Sequence, residues 1–315
     1  MIIINTPPPA IATSNLSKRF GKRLAVNQLD LEVQEGEIFG FLGPNGSGKT
    51  TTIRMLLSLI RPTEGSAHLF GQSIRREYPR YLRQVGALVD EPDFYLNLSA
   101  LANLKLLARL HKGVDEARCR KVLRLAGLEE RAHDRVKTYS HGMCQRLGIA
   151  QAILHRPRLL ILDEPTTGLD PQGMHEVRQM IRRFAHEEGM TIFLSSHLLN
   201  EVEQICTSMA VLSEGKLLVS GSVEQFLSVE TATLTELQAD PISAARTVLE
   251  GLSFVSQVEE QNGRLHFRVD HQHRPKVARA LIEQGVEIYS LTPVSRLEDY
   301  FLSLFGSPDT GGGLP

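Results

Sequence analysis

The chain has 315 residues, 42% of them hydrophobic and 23% charged, which is the composition of an ordinary globular protein with enough length for two domains. A formal net charge of −1 and a pI near 6.8 exclude a global basic field that would concentrate nucleic acid or anionic lipid. They do not exclude a local basic patch. The three cysteines are few and far apart, which argues against a disulfide framework or a zinc cluster and predicts a reducing cytoplasm. No apolar run approaches the roughly 18 residues of a membrane helix, so at a membrane another chain must cross it.

The first part of the chain predicts a lead-in and a small β layer. Residues 1–10 contain Pro7-Pro8-Pro9 and are expected to be disordered, because prolines neither donate ladder hydrogen bonds nor continue a helix. From Ile11 to Val33 apolar and polar residues alternate around a turn, which predicts an antiparallel layer beside the main sheet. Phe20 at this turn either stacks on a nucleotide base or is a plain hairpin residue, and spacing alone leaves both interpretations open.

A glycine-rich stretch from Gly43 to Thr50 fits the phosphate-binding pattern G-x-x-x-x-G-K-[ST], between an apolar run and a helix-like run. Its glycines let successive backbone N–H groups point into one concavity, where they bind phosphate oxygens. Lys49 is expected to reach the β- and γ-phosphates, and the Thr50 hydroxyl to ligate Mg²⁺. The alternative, an ordinary glycine-rich turn, is disfavoured by the flanking pattern. The predicted nucleotide-binding residues here are Gly43, Pro44, Asn45, Gly46, Ser47, Gly48, Lys49, Thr50 and Thr51.

The middle of the chain predicts a helical insert between two further candidate sites. A strand-like run ends in Asp90-Glu91-Pro92-Asp93, whose carboxylates either face a metal or belong to a solvated loop. From about Ser99 to His155 the apolar residues recur at helical spacing. Ser140 predicts an N-cap for the last helix of this insert. Either that is its whole role, or Ser140, the Gly142 amide and the helix N-terminus form a second anion-binding site.

Two later strands predict catalytic side chains at their carboxyl ends. The aliphatic run Leu159 to Leu162 is typical of a strand buried in a parallel sheet, and such sheets bind ligands at that end. Asp163 is therefore expected to hold Mg²⁺, and Glu164 to orient or deprotonate an attacking water. His197 follows the next strand, where a histidine is either structural or contacts the γ-phosphate.

The order of these motifs, from about Asn15 to Val229, resembles the nucleotide-binding subunit of ATP-binding cassette (ABC) transporters. The matching segments are Gly43–Thr50 (Walker A), Ser140–Met143 (signature), Leu159–Glu164 (Walker B), Gly168–Asp170 (D-loop) and His197 (switch histidine). The resemblance implies an α/β P-loop NTPase fold with a mixed core sheet, an antiparallel β layer and a helical insert. It also implies ATP and Mg²⁺ as cofactors, Glu164 and His197 as catalytic residues, Phe20 as the adenine-stacking aromatic, and Asp170 in nucleotide binding.

The resemblance further implies partners. Two cassettes are expected to dimerise head to tail, so that Ser140 and Gly142 act in trans on ATP held by the other copy. ATP binding then closes the dimer, and hydrolysis lets it open. A separate transmembrane permease is the other expected partner, and no nucleic acid is expected. The resemblance places the protein in the cytoplasm, peripheral on the inner face of the cell membrane through that permease.

Three features depart from the family pattern. The common signature Leu-Ser-Gly-Gly-Gln appears here as Tyr-Ser-His-Gly-Met, with His141 and Met143 at changed positions. The family's Q-loop glutamine aligns with Asp90 or, as the second choice, with Glu91, and a carboxylate there still has the chemistry to ligate Mg²⁺. The third departure is a long extension after the cassette. All three are similar to exporters of the bacitracin-resistance and multidrug type.

The expected domain boundaries place the cassette at residues 11–229, with its helical part at about 99–155. Residues 230–305 show the order β-α-β-β-α-β around a hairpin at Asn262-Gly263, which predicts a small ferredoxin-like α+β domain. This domain closes with an amphipathic helix from Arg296 to Phe305, and residues 306–315 are expected to be a flexible tail. Since it holds no catalytic motif, a regulatory, dimerising or partner-docking role is expected.

The sequence thus predicts an ATPase subunit that powers an exporter of drug, antibiotic peptide or lipid-like cargo, with a permease helix docking near Asp90 to Tyr95. The alternative is a non-transport cassette that acts as a mechanical clamp on another macromolecule. Such proteins usually carry two cassettes or a long coiled-coil insert with basic patches, and this sequence has neither. A degenerate cassette that binds ATP without hydrolysis is disfavoured by the presence of Glu164 and His197.

Overall fold

The computed structural model describes residues 7–228 and 232–294. The predicted lead-in before Pro7, the predicted closing helix from Arg296 to Phe305 and the predicted tail 306–315 lie outside the described residues. The chain forms two compact units that meet at Gly221 and Ser222. No helix within the described ranges is long and apolar enough to cross a membrane.

The first unit contains two sheets and six α-helices among its described residues. Its strands are β1 (Ile11–Phe20), β2 (Arg23–Val33), β3 (Ile38–Leu42), β4 (Glu64–Leu69), β5 (Gln72–Ser73), β6 (Val85–Leu88), β7 (Leu159–Leu162), β8 (Thr191–Ser196), β9 (Ser208–Ser213) and β10 (Lys216–Ser222). Its helices are α1 (Lys49–Leu56), α2 (Ala100–Ala108), α3 (Glu116–Leu125), α4 (His141–Ala152), α5 (Pro171–Glu188) and α6 (Leu199–Ile205).

The smaller sheet is the predicted antiparallel layer, with strand order β2-β1-β4-β5. β1 pairs antiparallel with both β2 and β4, so that Ile11 lies opposite Val33 on one side and Leu69 on the other. These three side chains are buried because strand alternation puts them on the core face. Ala10 is also fully buried, and its carbonyl accepts a hydrogen bond from Phe70 N at 3.1 Å. Packing therefore begins within the predicted lead-in.

The larger sheet has the strand order β10-β9-β3-β8-β7-β6. The pairs β9–β3, β3–β8, β8–β7 and β7–β6 are parallel, and every residue of β3, β7 and β8 is buried. Continuous apolar runs suit strands that are covered on both faces, which explains why all four residues of β7 are aliphatic. Because parallel strands share one carboxyl edge, the sheet brings the residues after β3, β7 and β8 together there.

The helical insert lies between β6 and β7 and comprises α2, α3, a short 3₁₀ turn at Val136–Thr138, and α4. Each of its three α-helices has a side-chain N-cap: Ser99 for α2, Asp115 for α3 and Ser140 for α4. The buried apolar residues of the insert belong to the same core cluster as Leu160, Leu162 and Leu194 of the larger sheet. The insert is therefore part of the first unit's core, as an insert in an α/β domain should be.

The second unit contains α7 (Val223–Ser228), β11 (Ala232–Asp240), α8 (Ile242–Glu250), β12 (Val255–Gln261), β13 (Arg264–Asp270), α9 (Arg274–Glu283) and β14 (Glu287–Pro293). Its sheet has the order β12-β13-β11-β14, and each pair of neighbouring strands is antiparallel. This is the predicted β-α-β-β-α-β order, and the hairpin turns at Asn262 and Gly263, both at positive φ. Its apolar core is formed by residues of the sheet and of α8 and α9, among them Leu237, Leu249, Phe267 and Leu281. The predicted fold class is confirmed.

Candidate nucleotide-binding and catalytic site

A cleft of about 520 Å³ opens where the carboxyl edge of the larger sheet meets the antiparallel layer. It is lined by Phe20, Arg23, Ala25, Asn45, Gly46, Gly48, Lys49, Thr50, Thr51, Glu164, Thr167 and His197. Three separate parts of the chain supply these residues: the β1–β2 hairpin, the glycine-rich loop with the start of α1, and the segments after β7 and β8. The volume is in the range of small-molecule and cofactor sites.

The glycine-rich loop adopts a backbone that only glycine fits at two positions. Gly43 and Gly48 have φ values of +157° and +112°. A Cβ atom would lie 2.3 Å from the Leu212 carbonyl oxygen at Gly43 and 2.5 Å from the Ala25 carbonyl oxygen at Gly48. The Ser47 hydroxyl is buried and has no hydrogen-bond partner among the described residues. A tight glycine loop with a spare donor at the N-terminus of α1 fits a bound phosphate chain.

Lys49 lies buried between the loop and the end of β7. Its Nζ donates to the carbonyl oxygens of Gly43 at 2.7 Å and Pro44 at 3.3 Å, and it lies 3.2 Å from Glu164 Oε1. An ammonium group has three protons, so two hydrogen bonds to the loop leave one proton that faces the Glu164 side of the cleft for a further acceptor. The cation is therefore held at a fixed point beside the Glu164 carboxylate.

Glu164 is the centre of the polar cluster in the cleft. Its Oε2 accepts from His197 Nδ1 at 2.5 Å and from Thr167 Oγ1 at 2.9 Å. Burial raises the pKa of this carboxyl. The hydrogen bonds from His197 and Thr167 and the charge of Lys49 lower the pKa by more than burial raises it, so it lies below its ordinary value. Since an ionised carboxylate only accepts, His197 carries its proton on Nδ1. The cluster therefore presents an ionised carboxylate that three side chains orient.

Asp163 and Thr50 are the predicted residues whose oxygens could hold a metal. Asp163 Oδ1 accepts from Ser195 Oγ at 2.5 Å, and Thr50 lines the cleft near the start of α1. No group of three or more histidine, cysteine, aspartate or glutamate side chains that could hold a metal occurs in the part of the chain that the structure describes. One carboxylate and one hydroxyl fit Mg²⁺, which usually takes one or two carboxylates together with substrate phosphates and water.

Asp90, the predicted third metal ligand, has a different neighbour. Both of its carboxylate oxygens lie 3.1 Å from Arg54 NH2, and Asp90 is not among the residues that line the cleft. An exposed carboxylate beside a guanidinium readily forms such a charge-assisted pair. The structure therefore pairs Asp90 with Arg54 of α1, and neither Asp90 nor Asp163 is among the residues that line the cleft.

The predicted second anion site lies apart from the cleft. Ser140 is exposed, and its Oγ accepts from Met143 N at 3.2 Å, so the predicted N-cap is present. Neither Ser140 nor Gly142 lines the cleft. Asp170 does not line it either, and its Oδ1 caps α5 by accepting from Gly173 N at 2.8 Å. Within one chain, these three residues are therefore not part of the cleft lining.

Comparisons with known proteins decide the family. A family model described as ABC transporter matches residues 26–167. The chain is 42% identical to the uncharacterized ABC transporter ATP-binding protein YhcH of Bacillus subtilis strain 168, over 93% of this chain and 94% of that protein. It is 39% identical to the bacitracin transport ATP-binding protein BcrA of Bacillus licheniformis, over 96% of this chain and 99% of that one. The chain belongs to the ABC transporter ATP-binding protein family.

Solved structures agree with this assignment. The ATP-binding subunit of an ABC transporter is 28% identical and covers 69% of this chain and 91% of its own, with a TM-score of 0.60. A dimeric post-hydrolysis state of the ATP-binding cassette MJ0796, bound to ADP and Pi, is 25% identical and covers 68% and 98%, with a TM-score of 0.60. The present ABC protein is therefore an ATP-binding ATPase of this family, as predicted.

Three residues of this ABC ATPase escaped the sequence analysis. Arg23 lines the cleft and donates to the Gly46 carbonyl at 3.2 Å. Thr167 orients Glu164, and Ser195 contacts Asp163. Arg23 is the first residue of β2 and Thr167 lies between β7 and α5, and neither belongs to a pattern that points to the cleft. Ser195 did give a sequence signal, because it is a polar residue that directly follows an apolar strand run.

Phe20, in contrast, was predicted and lies at the cleft. Its ring is 50% exposed, and Lys18 Nζ lies 5.0 Å from the ring centroid. An exposed ring at the mouth of a nucleotide site suits base stacking, whereas a ring with only a hairpin role would gain by packing against the sheet. The position of Phe20 therefore favours base stacking over a plain hairpin role.

Proposed function

We propose that this ABC ATPase hydrolyses ATP in the cleft formed by the glycine-rich loop, with Glu164 and His197 as its catalytic residues. The observation that carries the proposal is the position of the Glu164 carboxylate. It is ionised, lies 3.2 Å from Lys49 Nζ and is bound by His197 at 2.5 Å. A γ-phosphate that Lys49 binds comes to lie beside this carboxylate, where a water molecule between them is polarised for attack.

The other predicted residues take the roles that the phosphate-binding pattern and the family resemblance give them. Backbone N–H groups from Gly43 to Lys49, with the Ser47 hydroxyl, bind phosphate oxygens, and Phe20 stacks on adenine. Thr50 and Asp163 hold Mg²⁺, which neutralises phosphate charge when it is bound. His197 donates through Nδ1 to Glu164 and thereby holds the base in place. Because the pKa of Glu164 lies below its ordinary value, the side chain is ionised at neutral pH and accepts a hydrogen bond from the attacking water.

We propose that two copies close head to tail over two ATP molecules. The N-terminus of α4 is exposed and capped only by its own Ser140, which makes it an anion site without a ligand partner in its own cleft. A two-fold dimer brings the same surfaces together in pairs, so the Ser140 and Gly142 end of one copy covers the phosphates held by the other. Asp170 belongs to the loop beside this end.

We propose that the dimer powers an export permease for antibiotic peptide-like, drug or lipid-like cargo, at the inner face of the cell membrane. Relatives over most of the chain are named as transport proteins for bacitracin, and others for lantibiotic transport and Nod factor export. Tyr95 and Leu96, which follow Asp90 by five and six residues, are exposed and offer an apolar docking site for a permease helix. The cassette at 11–229 then drives transport, and the domain at 230–305 regulates, dimerises or docks.

Substitution of Glu164 by glutamine tests the catalytic part. The Glu164→Gln variant is expected to hydrolyse ATP about 10²-fold more slowly, because amide oxygens are poor bases, yet to accumulate an ATP-bound dimer on gel filtration. Glu130→Gln, at an exposed glutamate of the insert, is the matched control and should behave like the wild type. Hydrolysis by Glu164→Gln at the wild-type rate would contradict the proposed base.

Co-purification tests the transport part. The chain is expected to purify with a six-helix membrane protein encoded by a neighbouring reading frame, and the amount should fall when Tyr95 and Leu96 are replaced by serine. Purification with ribosomes or DNA instead would contradict the transport role and support the clamp alternative.

A further inference from the structure

β8 ends in two consecutive serines that are both buried. All six residues of this strand are inaccessible to solvent, and Ser195 and Ser196 are 0% and 1% exposed. Burying a hydroxyl is unfavourable unless it gains hydrogen-bond partners. Neighbouring side chains of a strand point to opposite faces of the sheet, so the two hydroxyls meet different partners.

Ser196 has a structural role. Its Oγ donates to Glu201 Oε2 at 2.9 Å and accepts from Leu198 N at 2.9 Å, which holds the start of α6. Ser195 has partners of another kind, since it contacts Asp163 and Glu164 on β7's carboxyl side. The two serines thus offer a comparison between a capping hydroxyl and a hydroxyl inside the catalytic cluster.

The direction of the Ser195 hydrogen bonds follows from the chemistry of its neighbours. The Glu164 backbone N–H lies 2.9 Å from Ser195 Oγ, and an amide N–H only donates, so the hydroxyl accepts there. The single hydroxyl proton therefore goes to Asp163 Oδ1 at 2.5 Å. An O–H donor to an ionised carboxylate at this distance forms one of the stronger hydrogen bonds in proteins. The chain of donors runs in one direction, from Glu164 through Ser195 to Asp163.

This chain fixes the backbone at Glu164. The residue has φ of +49°, in the left-handed region that side chains with a Cβ atom seldom adopt. Its N–H is held by Ser195, and its carbonyl accepts from Thr167 N at 3.2 Å. Hydrogen bonds to both the N–H and the carbonyl of Glu164 thus hold the turn that directs its side chain toward Lys49 and His197.

The same hydroxyl fixes the side chain of Asp163. Oδ1 is engaged by Ser195, whereas Oδ2 has no protein hydrogen-bond partner within residues 7–228 and 232–294. One carboxylate oxygen is therefore anchored and the other is left for a metal or its water. Removing such support behind a ligand typically lowers metal affinity or activity about 10–100-fold.

We propose that Ser195 is a positioning residue for ATP hydrolysis, whose one hydroxyl sets both the Asp163 side chain and the Glu164 turn. A single group thereby couples the metal-binding carboxylate to the water-activating carboxylate. The proposal rests on the roles proposed above for Asp163 and Glu164, and it adds a residue from the neighbouring strand that acts only through them.

Three variants and two readouts test this role. Ser195→Ala is expected to lower kcat about tenfold with little change in KM for ATP, because it removes a hydrogen bond to a charged group. It should also raise the Mg²⁺ concentration that gives half-maximal rate. A fluorescent ATP analogue supplies the binding readout: in Ser195→Ala, Mg²⁺ should increase its affinity less than in the wild type, whereas the affinity in EDTA should not change.

Two further variants at the same position complete the series. Ser195→Thr keeps the hydroxyl and should restore kcat and the Mg²⁺ response to within about threefold of the wild type. Ser195→Cys keeps the volume but donates weakly, so it should show the loss even if the alanine variant does not fold. Melting temperatures measured by circular dichroism identify any variant that fails to fold.

Ser196→Ala is the matched control, because it removes the same atom one residue away. It should lower the melting temperature through the lost contact to Glu201 and leave the Mg²⁺ response unchanged. An equal shift of the Mg²⁺ response in Ser196→Ala, or unchanged kinetics in Ser195→Ala and Ser195→Cys, overturns the proposal. Glu164→Gln is measured in parallel. If Glu164→Gln hydrolyses ATP at the wild-type rate, the proposed function fails. If Glu164→Gln is inactive but Ser195→Ala and Ser195→Cys have wild-type kinetics, only the role of Ser195 is overturned.

Discussion

The two units of the chain bury polar groups very differently. The unit that ends at Gly221 buries Lys49, Ser47 and Ser195 at the carboxyl edge of its larger sheet, together with other polar side chains elsewhere. Among the described residues of the second unit, Thr235 is the single buried polar side chain, and the core is otherwise apolar. Burying a polar group costs free energy unless it gains a partner, so a cluster of buried polar groups indicates a functional site.

Strand direction explains why only one unit collects such groups. Parallel strands place all their carboxyl ends at one edge, where β3, β7 and β8 bring the glycine-rich loop, Glu164 and His197 together. In the antiparallel sheet of the second unit, neighbouring strand ends alternate between the two edges. The first unit is thus suited to catalysis, and the second to forming a stable body with a surface.

The largest expected effect comes from Lys49→Ala. Among the described residues, Lys49 is the only cation that contacts both the loop carbonyls and Glu164. Its removal should lower ATP hydrolysis about 10³-fold. Binding of a fluorescent ATP analogue should fall as well. Lys216→Ala, at an exposed lysine of β10, is the control. Normal hydrolysis by Lys49→Ala would show that the chemistry lies outside this cleft.

His197→Ala should have the next largest effect, about 10²-fold on hydrolysis with nucleotide binding retained. The hydrogen bond from His197 is one of the effects that hold the pKa of Glu164 below its ordinary value. Without it that pKa rises, so the acidic limb of the pH–rate profile should move to higher pH. His133→Ala, at an exposed histidine, provides the control. An unmoved acidic limb would contradict the role of His197 as the partner of the base.

Phe267→Ala should have the smallest effect on hydrolysis, although it destabilises its own unit. This fully buried ring lies in the apolar core of the second unit, and its loss should lower that unit's free energy of unfolding by about 3–5 kcal/mol. ATP hydrolysis below the unfolding temperature should stay within about twofold of the wild type. Phe184→Ala makes the same truncation in the first unit and should lower both stability and hydrolysis. Equal losses of hydrolysis in both variants would remove the functional contrast.

Local patterns in the sequence predicted much of this architecture. The buried run of β7, the capping Ser140 and the hairpin turn at Asn262-Gly263 each depend on neighbours within a few residues, and the structure contains all three. The order of motifs also predicted the family. Periodicity and spacing are sufficient for such features because propensity, capping and alternation act over one or two turns.

Contacts between distant residues could not be predicted in this way. Ser195 and Asp163 are 32 positions apart, Arg54 and Asp90 are 36 apart, and Arg23 and Gly46 are 23 apart. Each of these pairs exists because strands or helices from separate parts of the chain lie side by side. The sequence therefore proposed Asp90 for the metal without revealing Arg54 as a competing partner, and it did not reveal Ser195 behind Asp163.

The central claim is that the site is composite, with the glycine-rich loop of one copy completed by Ser140 of another. Mixing two inactive variants, Lys49→Ala and Ser140→Ala, tests it most directly by the rate of ATP hydrolysis. In a head-to-tail mixed dimer both changes fall in one of the two sites and the other is intact, so about a quarter of the wild-type rate should return if subunits exchange freely. If both residues serve the same copy's cleft, every cleft in the mixture is damaged, and a mixture no more active than its components would contradict the account.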